Sequence, residues 1–73
     1  MKTLFDCKKG EELKVVKLHA TSEFKQRLIS FGILKGAKIK LLEHAPAKST
    51  IEIQVGKMTI ALRAEEAKMI EVE

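Results

Sequence analysis

The chain has no tryptophan, no tyrosine, one cysteine, one proline and four glycines in 73 residues, and each shortage excludes something. A lone cysteine, Cys7, closes no internal disulfide, so a domain this small must hold together by packing, which suits a reducing compartment. With three phenylalanines as the only aromatics and no arginine-rich run, the chain lacks the stacking platforms and phosphate clamps of single-strand nucleic-acid binders. No apolar run approaches the ~20 residues that cross a bilayer, and the N-terminal stretch reaches Asp6, Lys8 and Lys9 before a signal-peptide core could form. A cytosolic setting is expected. No Ser/Gly/Pro-rich linker or low-complexity tract divides the chain, so residues 1–73 read as one domain, ordered nearly throughout.

What is present is an even mixture. Fourteen Lys and Arg stand against ten Asp and Glu, a net charge of +4, but the two signs are interspersed. Such a surplus reads as a solvated surface. Only Lys38 and Lys40, on alternate positions of one run, favour a nucleic-acid partner, and none is expected.

Alternation organises the second half. Ile51, Ile53 and Val55 alternate with Glu52 and Gln54, and Met58, Ile60 and Leu62 with Thr59, Ala61 and Arg63. Only Gly56 and Lys57 lie between, a two-residue hairpin loop with glycine first, as a type II′ turn prefers. That loop sets Val55 opposite Met58, Ile53 opposite Ile60 and Ile51 opposite Leu62, which puts all six on one face. A third run, Ala37, Ile39 and Leu41, precedes a loop at Ala45–Ser49. Leu13 to Leu18 reads as a strand in which the Val15-Val16 doublet breaks alternation, the mark of a bulge. Ala64–Lys68 predicts one helical turn, and Ile70 and Val72 a closing strand.

One helix starts at Thr21 or Ser22 and carries Phe24, Leu28 and Phe31 at spacings of four and three as its buried stripe. Glu23 in its first turn complements the dipole, and Gly32 ends it. Five short strands and one helix are too few for a sandwich and too β-rich for a bundle. The expected class is therefore mainly β with one α-helix, a small SH3-like barrel of about five strands.

The chemistry-bearing residues do not assemble a catalyst on paper. Cys7, His19 and His44 share no spacing that pairs a nucleophile with a base, Cys7 is expected to be an exposed, inert thiol, and no enzyme activity is expected. His19, Glu43 and His44 are the residues available to a metal, yet only Glu43 and His44 are neighbours, and adjacent strand residues point to opposite faces. No resident cofactor is expected, with a loosely held ferrous or other transition-metal ion as the alternative. A helix-turn-helix is excluded because Gly36-Ala37-Lys38-Ile39-Lys40-Leu41, after the turn, has the period of a strand. In the turn itself Ile33 and Leu34 are hard to bury together, so Ile33 is assigned to the core and Leu34 to the surface as a docking contact.

Three segments in this order, Arg27-Leu28-x-x-x-Gly32-Ile33-x-x-Gly36, Ile51-Glu52-Ile53-x-Val55 and Ala61-Leu62-Arg63-x-x-Glu66-Ala67-x-x-Ile70-x-Val72, resemble the FeoA family from Leu4 to Val72. The resemblance implies a cytosolic SH3-like module that serves FeoB, the membrane ferrous iron transporter with a cytosolic G domain, as accessory or regulator. The same fold resembles the C-terminal domain of DtxR-type metal-dependent repressors, which gives the alternative of a stand-alone metal-sensing domain. With the turn, it nominates Arg27, Phe31, Gly32, Ile33, Leu34, Lys35 and Gly36 as the partner-binding segment. Leu62, Arg63, Glu66 and Ala67 match as fold-defining positions. Where the family usually has proline before its second glycine this chain has Lys35, so a looser turn is expected. Ser49-Thr50 stands where a Gly-Pro approach to the third strand is common.

Overall fold

Strand pairing follows the hairpin. A computed structural model describes residues 1–73, the side chain of Lys48 excepted. Its strands are β1 (Glu12–Leu18), β2 (Lys38–His44), β3 (Thr50–Val55), β4 (Met58–Arg63) and β5 (Ile70–Val72), with helices α1 (Ser22–Ser30) and α2 (Ala64–Ala67). Val55 pairs with Met58, Ile53 with Ile60 and Ile51 with Leu62, the register that the two-residue loop dictates. Gly56 has φ +60 and Lys57 is not in the left-handed region, which is the II′ geometry. Met58, at the open end of this face, is nevertheless exposed.

The sheet is antiparallel in the order β4-β3-β2-β1-β5. Its outer strands, β4 and β5, are consecutive in the chain and joined only through α2 and the residues up to Met69. Two opposite edges linked so briefly require the sheet to curl, as the SH3-like expectation demands. The hydrogen-bonded ladder itself stays open between β4 and β5, and the mainly-β class holds.

Curling is helped by two bulges. The register slips between Val15 and Lys17 on β1, where Val16 is the surplus residue, and again between Leu41 and Glu43 on β2, where Leu42 is. The first was legible in the Val15-Val16 doublet. The second follows the same rule at Leu41-Leu42. Each bulge reverses the inward phase: on β1 Leu13 and Val15 face the core before it and Leu18 after it.

The interior is aliphatic: Leu28, Ile33, Leu41, Ile51, Ile53, Leu62 and Ile70 are fully buried, each contributing about 1.5–3 kcal/mol by removal from water. Two expectations are corrected. The α1 stripe is narrower than its spacing implies, because only Leu28 is fully buried while Phe24 and Phe31 pack against the core half-buried. The helix rides on the curled sheet and does not plug it. Cys7 is buried too. A single 3-10 turn at Leu4–Asp6 folds the N-terminal segment under the sheet, and the Cys7 thiol donates to the Thr3 carbonyl at 3.3 Å. Burial pushes that thiol up from its ordinary pKa.

Glu66 shows why the closing segment reads Arg63-x-x-Glu66. As the third residue of α2, its Oε1 accepts the Arg63 backbone N–H at 2.8 Å, satisfying one of the donors that a helix start leaves free. Its Oε2 is buried, makes no hydrogen bond among the described residues, and lies 3.4 Å from Arg27 Nη1 across on α1. An ion pair therefore ties the helix to the turn that joins the outer strands.

Candidate functional site

The end of α1 decides which of its neighbours face water. Phe31 caps the helix, Gly32 follows at φ +85, the Ile33 N–H bonds to the Leu28 carbonyl at 3.0 Å and the Gly32 N–H to that of Ile29 at 2.9 Å. This is the Schellman arrangement, which needs a residue without a Cβ penalty at the left-handed position. It turns Ile33 back onto Leu28, both fully buried, and leaves Leu34 46% exposed.

A second turn follows at once. The Ala37 N–H bonds to the Leu34 carbonyl at 2.9 Å, and Gly36, third in the turn, has φ +89, which makes it type II. Lys35 occupies the place that proline favours, yet the turn is closed and not looser, because the Gly36 N–H also bonds to the Val15 carbonyl at 2.8 Å. Strand β1 supplies the constraint that a proline ring would otherwise add.

These turns and the β1 bulge frame a groove of about 560 Å³ between β1 and α1, lined by Val16, Lys17, Leu18, Lys25, Ile29, Leu34 and Lys35. That volume is in the range of binding clefts. Ile29, an apolar residue of α1, is 43% exposed. No carboxylate lines the groove, and Lys17, Lys25 and Lys35 make no ion pair among the described residues. The arrangement offers apolar contact surface with uncompensated positive charge around it.

Of the residues nominated from the sequence, Leu34 and Lys35 line this groove. Ile33 is core, and Gly32 and Gly36 act through the backbone. Phe31 is half-buried with the Arg27 guanidinium 5.9 Å from its ring centroid, while Arg27 is also committed to Glu66. Sequence reasoning passed over Val16, Leu18, Lys17, Lys25 and Ile29. Two had a signal: Val16 is the surplus member of the doublet, and Ile29 is apolar but off the Phe24-Leu28-Phe31 stripe.

The metal candidates are not brought together. The β1–β2 register puts His19 and His44 at opposite ends of the ladder. His19 Nε2 lies 2.7 Å from Glu71 Oε1, Glu43 Oε2 lies 3.3 Å from Lys9 Nζ, and His44 Nε2 lies 2.8 Å from the Cys7 carbonyl. That last contact sets the imidazole edge-on to the Phe5 ring, in a cleft of about 480 Å³ shared with Lys8 and Lys9. Among the described residues no three of His, Cys, Asp and Glu converge on a point that could hold an ion. Among the described residues no helix is long and apolar enough to cross a membrane.

Comparison with known proteins agrees with this architecture. A protein of Campylobacter jejuni named as Fe(2+) transport protein A is 37% identical over 70 residues, covering 96% of this chain and 95% of that one. The solution structure of the FeoA protein from Chlorobium tepidum superimposes with a TM-score of 0.91 at 32% identity, covering 97% of this chain and 68% of that one. A manganese-dependent transcriptional repressor, of which this chain spans 40%, superimposes with a TM-score of 0.91 at 20% identity, a likeness of fold alone. In Porphyromonas gingivalis, a fusion of Fe(2+) transport protein A with the Fe(2+) transporter FeoB is 27% identical over 64 residues, covering 88% of this chain and 8% of that protein. The FeoA domain family matches residues 2–73, and the chain belongs to that family.

Proposed function

We propose that this protein is an accessory module of bacterial-type ferrous iron uptake, acting in the cytosol by binding the cytosolic part of a FeoB transporter. The observation that carries the reading is the fused relative, in which a segment similar to nearly all of this chain is part of one polypeptide with a transporter. A covalent tether holds two modules at high effective concentration, which is of use when the separate modules also have to meet. The exposed Leu34 and Lys35, held by two closed turns beside the groove, are the contacts this reading uses first. No resident metal ion and no catalytic residue form part of it.

Co-purification of this protein with the cytosolic part of FeoB from the same cells tests the reading, alongside Leu34→Asp. Because Leu34 is half in water, the substitution is expected to leave the fold intact while placing a charge in the contact. Retention of the wild type with loss of the variant is the expected result. Equal retention of both moves the contact elsewhere, and retention of neither overturns the partnership.

A further inference from the structure

The groove has a chemical character that the partnership alone does not explain. Its apolar residues come from two elements: Val16 and Leu18 from β1, and Ile29 from α1, with Leu34 from the turn between α1 and β2. Three lysines share the same lining and no carboxylate does. Elsewhere on this mixed surface Lys2 pairs with Glu11, Lys9 with Glu43, Arg27 with Glu66 and Arg63 with Glu65, while Lys8, Lys14, Lys38, Lys40, Lys57 and Lys68 stand scattered without an ion pair among the described residues. Lys17, Lys25 and Lys35 are unpaired as well, and what sets them apart is their place: they gather around one apolar concavity whose lining holds no Asp or Glu.

We propose that the groove between β1 and α1 receives an acidic amphipathic segment of a partner protein, with apolar side chains resting on Val16, Ile29 and Leu34 and flanking carboxylates meeting Lys17, Lys25 and Lys35. It rests on the partnership proposed above and specifies the chemistry of the segment that the partner supplies. Charge complementarity selects this occupant. An apolar segment flanked by basic residues would meet like charge on every side, and one without charge would leave three ammonium groups unpartnered at the edge of a dry contact. The concavity also favours inserted side chains over the flat face of an anionic bilayer. The bulge contributes directly: as the surplus residue of β1, Val16 is free of the core phase and reaches the groove half-buried.

The test follows backbone amide shifts of the full chain during titration with two short synthetic peptides. One carries leucines on one helical face and glutamates on its flanks; the other is identical with every glutamate replaced by lysine. The glutamate peptide is expected to shift the amides of Val16, Lys17, Ile29 and Leu34 saturably and to bind about tenfold tighter at low salt, the gap narrowing as salt screens it. The triple variant Lys17→Gln, Lys25→Gln, Lys35→Gln is expected to close most of that gap, and Leu34→Ser to weaken both peptides. All four substituted positions are exposed, and a dispersed amide spectrum confirms that each variant is folded.

Equal binding of the two peptides overturns the proposal, as does the absence of saturable shifts in the groove. Binding of phosphatidylglycerol vesicles through the same residues without peptide binding overturns it as well. A parallel titration with the cytosolic part of FeoB separates the two readings. If that part binds and the lysine variant binds it equally, the partnership stands and the groove assignment falls. If the glutamate peptide binds and the transporter part does not, the partnership falls and the groove assignment stands.

Discussion

Replacing Arg27 by methionine keeps the stem of the side chain and removes the cation paired with a buried carboxylate oxygen. Glu66 is 1% exposed, its Oε1 is satisfied by the Arg63 N–H at 2.8 Å, and its Oε2 has, among the described residues, only Arg27 Nη1 at 3.4 Å. Breaking a fully buried ion pair by removing one partner costs about 3–5 kcal/mol, because the other charge is left without compensation. The Arg27 side chain is 59% exposed, so water already screens part of the pair, and the expected cost falls to about 1–3 kcal/mol. Glu66→Gln retains an oxygen for the Arg63 N–H but puts an amide where Oε2 was, a loss of about 1–2 kcal/mol. Once Glu66 is neutral, removing Arg27 leaves no buried charge behind, so the double variant should lose less than the sum of the singles by about 1 kcal/mol. Urea unfolding of the four proteins, with unchanged m values, measures the cycle. Additivity within about 0.3–0.5 kcal/mol would refute the coupling, and Arg27 would then belong to the surface and its partners.

Three further outcomes are expected. Gly32→Ala places a Cβ 3.5 Å from Val55 Cγ1, an ordinary contact, so its whole cost of about 1–2 kcal/mol comes from holding φ +85, and thermal unfolding should show it as a lower midpoint without a change of fold. Cys7 should react with a thiol reagent only as fast as the N-terminal turn opens, since the thiol is buried and burial keeps it protonated; rapid stoichiometric labelling of the native protein would contradict this. Asp6 is held below its ordinary carboxyl range by the backbone N–H and the hydroxyl of Thr3, and Glu11 by the backbone N–H of Lys8 and the ammonium of Lys2. Groups lowered by folding stabilise the native state at pH above their unfolded values and lose that contribution as pH falls towards the folded ones, so acid unfolding curves should flatten in Asp6→Asn and Glu11→Gln below about pH 4.

Local rules carried most of the architecture. The hairpin was readable because the Gly56-Lys57 loop fixes both turn type and register, and the helix stop because a left-handed residue after the last buried position favours glycine. The Val15-Val16 doublet announced a bulge, while the one at Leu42 was not read from the sequence although Leu41-Leu42 carries the same signal. What remained hidden depends on elements distant in sequence. Nothing near Cys7 says that its segment tucks under the sheet, since its flanking lysines read as a solvated turn. The burial of Glu66 and its approach to Arg27 join α2 to residues distant in sequence, and no periodicity encodes that meeting. The groove is of the same kind: its lysines lie on β1, α1 and the turn, and look interspersed until the fold gathers them.

The two bulges connect that curvature to the site. A five-stranded sheet whose outer strands are joined by one short helical segment cannot be flat, and an extra residue in one strand bends and twists it locally. Strand β1 lies between β2 and β5, so its bulge sits where the sheet turns towards the chain's end. Strict alternation over Leu13 to Leu18 would have put Lys17 inward and Leu18 outward, a charge exchanged for an apolar core residue. The surplus residue restores Leu18 to the core and has no core position of its own. Being valine, it comes to rest beside the one helix of useful length, opposite an isoleucine that the helix's own stripe does not use. Curling the sheet and opening an apolar groove are thus two results of one insertion, and a polar residue at position 16 would serve the first without the second.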